Sequence, residues 1–149
     1  MLPDDASGCS ELVRACIEQD PSLPQPLRAA LARRESPEFM AERARLFYVA
    51  VCELQGRLAG VGGVDHNEIR MLCVAPECRR HGVGRRLLGH LENLVPPALF
   101  GSVFVYASTG AADFYQALGY ERAGEHIFPL LGIDYPTLFM VKRLAGMIP

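Results

Sequence analysis

The sequence lacks the features that mark disulfide-rich, metal-binding and membrane proteins. Its five cysteines form no CxxC pair and no Cys/His spacing of a metal site, and the odd number argues against a disulfide framework. We therefore expect a reducing compartment, the cytoplasm. No apolar run is long enough to span a membrane, and the acidic start MLPDDASG has no apolar core of a signal peptide. Because it also lacks repeats, linkers and low-complexity segments, we predict a single domain over residues 1–149.

The chain also lacks an excess of positive charge. It has 15 basic and 17 acidic residues and a formal net charge of −2, so no global field attracts nucleic acid or an anionic membrane. Four arginines are instead concentrated in one short stretch, at Arg79, Arg80, Arg85 and Arg86. This distribution favours one small anionic ligand over a polyanion.

What the sequence does contain is an α/β pattern with 50% hydrophobic residues, enough for a core. From periodicity and capping signals we predict helices at 11–18 (capped by Ser10), 27–33, 37–45 (capped by Ser36), 83–95 and 111–118. We predict strands at 46–54, 57–65, 68–74, 102–107 and 137–144. The helix at 83–95 is a crossover that leaves the fourth strand parallel to the third. Residues 119–121 are a candidate start of a further strand, and residues 126–136 are predicted to form a loop.

The most informative segment joins the strand that ends at Val74 to the helix that follows Gly82. A helix N-terminus leaves its first backbone N–H groups unpaired and carries partial positive charge, so it attracts anions. Gly82 and Gly84 let a ligand approach this backbone without meeting a Cβ atom, and Arg79 and Arg80 add full positive charge. The turn therefore predicts a phosphate or pyrophosphate site. The residues after its glycines exclude a Walker P-loop, and a third glycine of a dinucleotide fold is missing.

Two blocks of sequence carry a family resemblance. Residues 79–84 read Arg-Arg-His-Gly-Val-Gly after a lead-in with Val74 and Pro76, and residues 113–120 read Asp-Phe-Tyr-Gln-Ala-Leu-Gly-Tyr. Both blocks, in this order and spacing, resemble the GNAT superfamily of acyl-CoA-dependent N-acyltransferases, over roughly residues 46–144. The resemblance implies a single-domain α/β fold with a mixed, mostly antiparallel sheet flanked by helices. The family's first strand is short or missing here, at best Met1 to Pro3.

The resemblance implies acetyl-CoA as a co-substrate and no metal. Its pyrophosphate would accept hydrogen bonds from the backbone of the turn, and its pantetheine arm would pair with the third strand like an added strand. The acyl thioester would lie where the third and fourth strands splay apart, with the N–H of Val74 polarising its carbonyl. Ser108 stands where the family often has an asparagine and keeps one hydrogen bond to the cofactor arm. The implied cofactor-binding residues are Leu72, Cys73, Val74, Arg79, Arg80, His81, Gly82, Val83, Gly84, Arg85 and Ser108.

Two side chains are the candidates for catalysis that the resemblance implies. Tyr115 falls on the tyrosine that commonly protonates the leaving CoA thiolate in the family, although it could instead be a packing aromatic beside Phe114. Glu68 resembles the family's frequent base, acting through water. Strand alternation predicts that Glu68 and Val74 share one face. A solvated or Arg70-paired glutamate is the alternative, and His66 is an alternative base.

Other candidates have plainer interpretations. We expect His81 to contribute a backbone N–H, His90 to be solvated, and Cys73 to be a buried thiol, although it could form an acyl-enzyme. Arg85 and Arg86 either bind the 3′-phosphate of CoA or are solvated side chains on the helix surface.

The leading hypothesis is an acetyl-CoA-dependent N-acetyltransferase that acts on a primary amine in a ternary complex. The alternatives are a non-catalytic CoA-binding sensor or scaffold and an acetyltransferase directed at nucleic acid, which the acidic balance disfavours. The acceptor stays open among a polyamine, an amino acid, an antibiotic, a protein N-terminus and a lysine. An exposed final strand would allow a homodimer to form edge to edge. We predict no nucleic-acid or membrane partner.

Overall fold

The computed structural model describes residues 3–144, and its helices follow the sequence signals with shifts at their ends. Ser36 caps a helix as predicted, its Oγ accepting the Phe39 N–H at 3.0 Å. The prediction that Ser10 is a cap is wrong, because the apolar stripe extends back through Cys9 and Ala6 and buries Ser10 inside the helix. The helices are α1 Ala6–Glu18, α2 Gln25–Arg34, α3 Pro37–Leu46, α4 Val83–Asn93 and α5 Ala112–Ala117, with 3-10 segments at Pro3–Asp5, Pro76–Cys78 and Thr109–Ala111.

The sheet confirms the predicted fold class, since it is mixed and mostly antiparallel. Its six strands run in the order β1-β2-β3-β4-β6-β5, and only the β3–β4 pair is parallel. The strands are β1 Tyr48–Leu54, β2 Arg57–Asp65, β3 Glu68–Val74, β4 Ser102–Ser108, β5 Glu121–Leu130 and β6 Ile133–Arg143. The predicted first-strand residues Met1 and Leu2 lie outside the described part of the chain.

The predicted loop at 126–136 is wrong. These residues form the turn and the adjoining halves of a hairpin between β5 and β6, which turns at Leu131 and Gly132 with positive φ angles of 52° and 77°. Pro129 is tolerated because β5 is an edge strand, and Pro136 lies beyond the last residue of β6 that pairs with β4. The final strand is therefore internal, between β4 and β5, and the predicted edge-to-edge pairing through it is wrong; the exposed edges belong to β1 and β5.

Helices cover the two faces of the sheet unequally. On one face α4 and α5 pack over β1 to β4 and β6, and on the other α1 and α3 pack over β1 to β3. The close approach of α4 depends on Gly60 of β2, where a Cβ atom would lie 2.7 Å from Leu87 Cδ1 and 2.8 Å from Val83 Cγ1. The α2 helix packs on the tip of the β5–β6 hairpin. None of the helices within residues 3–144 has the length and apolar character needed to cross a membrane.

Candidate active site

The parallel strands β3 and β4 separate along their length. They pair only at their amino ends, Glu68 with Phe104 and Ile69 with Val105. Toward their carboxyl ends, at Val74 and Ser108, the structure records no pairing between them, so a wedge-shaped gap opens within the sheet. We call this space the gap.

One edge of the gap is a row of backbone groups on β3. The Ala75 N–H donates to the Ala59 carbonyl at 2.8 Å, so the alternation of an antiparallel ladder turns the N–H and C=O groups of Val74 and Leu72 away from β2 and toward the gap. Within residues 3–144, the hydrogen bond that the structure records on this side is donated by the Cys16 thiol to the Val74 carbonyl at 3.1 Å. The edge is therefore open to an added strand-like ligand.

A bulge in β3 overturns the prediction that Glu68 and Val74 share a face. Val64 pairs with Ile69 and Gly63 with Met71, so Arg70 is an extra residue. Beyond the bulge the alternation is inverted: Val74 packs in the cluster under α4, like Ile69, whereas Met71 packs in the cluster under α1 and α3. Glu68, directly opposite Phe104, thus lies on the face opposite Val74.

The arginine–glycine turn lies at the carboxyl end of β3. Arg80 and Gly82 have positive φ angles of 66° and 76°, and the first helical bond of α4 runs from Arg86 N–H to the Gly82 carbonyl. The N–H groups of Val83, Gly84 and Arg85 therefore precede any bond within the helix, and α4 has no side-chain cap. A Cβ atom on Gly82 would meet no atom within 4 Å. The backbone at this turn is consequently free to receive an anion.

The side chains of the turn are arranged around that backbone. His81 folds back, its Nδ1 donating to the carbonyls of Cys78 and Arg79 at 3.2 and 2.9 Å, so it orders the turn. Arg79, Arg80 and Arg85 are exposed. The two sequence blocks meet here, because a Cβ atom on Gly84 would lie 3.1 Å from the Phe114 ring and 3.4 Å from Val74 Cγ2.

Tyr115 belongs to α5 and is buried, with 5% of its surface exposed. Its ring packs edge-on against those of Phe114 and Tyr120 at 5.2 and 5.3 Å. Burial raises the pKa of its phenol well above the ordinary value, and the nearby Cys73 and Tyr135 add to the shift. These two neighbours belong to β3 and β6, so the hydroxyl is close to both sides of the gap and stays protonated at neutral pH.

Glu68 and His66 lie at the opposite, closed end of β3. Glu68 is half-buried and 3.5 Å from Arg70 Nη1, so the predicted alternative of an Arg70-paired glutamate describes its contact. His66 is exposed in the β2–β3 turn, with its Nδ1 2.9 Å from Asp65 Oδ1. Six residues of strand separate Glu68 from Val74, roughly 20 Å. The structure therefore does not bring either candidate base next to the open end of the gap.

Cys73 is paired with a residue that the sequence analysis missed, Cys16 of α1. A hydrogen bond from Cys73 lowers the pKa of the Cys16 thiol, helped by the nearby Arg79 guanidinium, whereas the Cys16 neighbour and desolvation raise the pKa of Cys73. All five cysteines are free, and residues 3–144 contain no cluster of three or more metal-ligating side chains. No local motif marks the pair, since 57 positions of sequence separate its members.

Two further residues at the open end were also missed, Asp20 and Tyr135. Tyr135 packs against α2, and burial, the Asp20 carboxylate and Cys73 together raise the pKa of its phenol to about 12. Asp20 lies in the α1–α2 loop beside the segment that follows Ser108. Nothing in the sequence of the α1–α2 loop indicates that it folds over the end of β4.

Comparison with known proteins agrees with this geometry. The family model described as an acetyltransferase (GNAT) domain matches residues 22–133. The chain is 37% identical over 71 residues to naa20, the catalytic subunit of the N-terminal acetyltransferase B complex of Schizosaccharomyces pombe, which covers 46% of this chain and 39% of that protein. The match thus spans well under half of that relative's length.

Two solved structures share the fold. A GCN5-related N-acetyltransferase from Rhodopseudomonas palustris superposes with a TM-score of 0.90 at 26% identity, covering 97% of this chain and 92% of that one. The PaiA N-acetyltransferase of Thermoplasma acidophilum, solved in complex with coenzyme A, superposes with a TM-score of 0.73 at 17% identity, covering 97% and 96%.

Proposed function

This chain belongs to the GNAT family of acetyltransferases, and on that basis we propose that it transfers the acetyl group of acetyl-CoA to a primary amine by direct attack in a ternary complex. The observation that supports this most strongly is that two sets of unpaired backbone groups lie next to each other. The open edge of β3 at Leu72 and Val74 leads directly into the unpaired N–H groups at the start of α4. Coenzyme A has the matching order of parts, with amides in the pantetheine arm followed by a pyrophosphate.

The residues at the turn fit the donor's phosphates. Backbone N–H groups of Val83, Gly84 and Arg85 would hold the pyrophosphate, and the space over Gly82 leaves room for it. Arg79, Arg80 and Arg85 supply charge at the rim, and Ser108 of β4 supplies one hydroxyl on the far side of the arm. His81 supports the turn both by its backbone and by its ring, which fixes two carbonyls.

The groups at the gap fit the chemistry of acyl transfer. The Val74 N–H points into the gap and would polarise the thioester carbonyl as negative charge develops on its oxygen. Tyr115 would donate its proton to the sulfur as the C–S bond breaks, because its phenol stays protonated and has Cys73 of β3 and Tyr135 of β6 nearby. Cys73 needs no acyl-enzyme role in this scheme, since its thiol holds its proton tightly.

Glu68 would remove the amine's proton through water. Its distance from the open end, roughly 20 Å along β3, means that a chain of water molecules would carry the proton. His66 is the alternative base, and the contact of its Nδ1 with Asp65 Oδ1 would orient the imidazole for that role. Replacing Glu68 and His66 one at a time by glutamine distinguishes the two candidates.

Isothermal titration with acetyl-CoA, followed by acetyl-CoA consumption with a panel of primary amines, tests this function. We expect binding and, with some amines, turnover. Binding without turnover of any amine would favour a non-catalytic CoA-binding module of the same fold. The buried Tyr115 at the gap supports catalysis, because a sensor has no need of a proton donor there. We also propose a reducing, cytoplasmic location, supported by the five free thiols.

A further inference from the structure

Resting on the acetyl transfer proposed above, we propose that Asp20 binds the ammonium group of the acceptor at the open end of the gap, and that an adjacent aromatic surface binds the acceptor's apolar body. The acceptor class is then a primary amine attached to an apolar or aromatic group. The inference depends on where α1 ends, on the chemistry of Asp20 and on an unusual exposed face of the sheet.

The last turn of α1 and the loop after it bridge the gap. At one side the Cys16 thiol donates to the Val74 carbonyl at 3.1 Å. At the other side, four residues later, Asp20 touches the segment after β4: a Cβ atom on Gly110 would lie 3.4 Å from Asp20 Oδ1 and 3.1 Å from Ser22 Oγ. Because α1 ends at Glu18, the chain from Cys16 to Asp20 leads from the β3 side of the gap to the segment that follows β4. In this proposal the Asp20 carboxylate therefore lies across the gap from the Val74 N–H.

The Asp20 carboxylate has capacity for a cation. Its Oδ1 accepts the Ser22 N–H at 2.9 Å and the Ser22 hydroxyl at 2.6 Å, which orders the loop. Between residues 3 and 144, no arginine, lysine or histidine forms an ion pair with it, and its Oδ2 takes part in no hydrogen bond that the structure records. Tyr135 is close enough for the carboxylate to raise the pKa of its phenol. A half-buried carboxylate next to hydroxyl groups is a site for an ammonium ion.

From Tyr135 an aromatic surface leads away across the sheet. Tyr135 pairs with Phe128 in the β5–β6 hairpin, and Phe128 begins a chain of ring contacts with centroid distances of 5.1 Å to Tyr106, 5.2 Å from Tyr106 to Phe139 and 5.5 Å from Phe139 to Phe104. Its far end is Phe104, directly opposite Glu68. We call the five rings the aromatic floor; they are Phe104, Tyr106, His126, Phe128 and Phe139.

The aromatic floor is not part of any core. Its four phenylalanine and tyrosine rings are half-buried and pack against none of the three buried clusters, and His126 is exposed. Rings in such a position are a surface for an apolar ligand. At the far end Glu68 is paired with Arg70, whereas at the near end Asp20 forms no ion pair within residues 3–144. The charge at the Asp20 end therefore favours an occupant that is cationic at the reacting group, and disfavours an anion.

The test compares three nucleophiles in steady-state assays at neutral pH with saturating acetyl-CoA. 2-Phenylethylamine carries a positive charge and an apolar body, ethanolamine carries the charge alone, and hydroxylamine is uncharged. We expect Asp20→Asn to lower kcat/KM about tenfold or more for both ammonium acceptors, mainly through KM, and to leave hydroxylamine unchanged. The amide keeps an oxygen for Ser22, so the loop is retained. Glu18→Gln, two residues away and exposed, is the matched control and should change nothing.

The role of the aromatic floor is tested by the preference of the enzyme between the two ammonium acceptors. We expect the wild type to prefer 2-phenylethylamine over ethanolamine about tenfold, and Phe128→Ala to remove most of that preference without changing KM for ethanolamine. Unchanged kinetics in Asp20→Asn, or an equal loss with hydroxylamine, would overturn the role of Asp20. No preference in the wild type would overturn the aromatic floor. If acetyl-CoA binds but no amine is consumed, the acetyl-transfer function itself is overturned, and this inference with it.

Discussion

The two ends of the β3–β4 pair use the same strands in different ways. At the amino end Glu68 and Ile69 pair with Phe104 and Val105, and the sheet is continuous. At the carboxyl end the strands have separated, and the Val74 N–H points into the gap. The bulge at Arg70 lies between the two ends, and a bulge bends the strand that carries it. This candidate active site is an interrupted sheet, in which the proposed cofactor would complete the missing hydrogen bonds.

The largest effect is expected from a variant that prevents acetyl-CoA from binding at the open end of the gap. Gly82→Glu places an acidic side chain at the anion site on a residue with φ of 76°, so we expect acetyl-CoA affinity to fall at least about 1,000-fold in titration calorimetry. Gly56→Glu is the matched control, because Gly56 has the same φ and equal space but lies in the β1–β2 turn. Similar affinities in the two variants would show that the pyrophosphate binds elsewhere.

The next largest effect is expected on kcat, from a variant at the open end of the gap that leaves acetyl-CoA binding unchanged. Tyr115→Phe should lower kcat about 100-fold while acetyl-CoA affinity stays within about twofold, because a general acid is lost and the ring remains. Since the pKa of Tyr115 is raised, its ionisation should cause no loss of wild-type turnover up to about pH 10. Tyr120→Phe is the control: it loses a 2.7 Å hydrogen bond to Glu92 and should cost about 1 kcal/mol of stability but no turnover.

A smaller effect is expected at the closed end. Glu68→Gln should lower kcat/KM about tenfold, with the loss shrinking at higher pH as the free amine becomes available without a base. Glu53→Gln, on the distant edge strand β1, should have no effect. If His66→Gln lowers the rate and Glu68→Gln does not, His66 is the base.

The smallest effect is a change in hydrogen exchange that compares the two ends directly. Acetyl-CoA should slow exchange of the Leu72 and Val74 amides at least about fivefold, since these point into the gap. The amides of Cys73, which faces β2, and Ile69, at the closed end, should change little. Equal slowing at Cys73 and Val74 would indicate general stabilisation, and would contradict an added strand-like ligand.

The strand, turn and helix that form the proposed donor site could be predicted because they are local in sequence. The arginine–glycine turn, the strand before it and the helix after it are continuous in sequence, and turn glycines and unpaired N–H groups can be inferred from that sequence alone. The limits of β2 and β3 were predicted correctly for the same reason, since tight turns at Gln55–Gly56 and His66–Asn67 mark their ends.

The rest required tertiary information. The bulge at Arg70 places Val74 and Glu68 on opposite faces of the sheet, and no residue in β3 indicates a bulge from the sequence alone. Only the start of the edge strand β5 was predicted, at residues 119–121; the rest was missed because nearly all of its residues are exposed and show no alternation. Asp20 and Tyr135 come together only when the α1–α2 loop meets the hairpin, so the acceptor side has no local signal.

Gly60 ties the anion site to a strand that never touches the ligand. Its missing side chain lets Val83 and Leu87 rest directly on β2, and Val83 is the residue at which α4 begins. A methyl group at this position would lift the first turn of the helix off the sheet, and the three free N–H groups would move with it. The absence of a side chain at Gly60 therefore determines the position of the proposed phosphate site relative to the sheet.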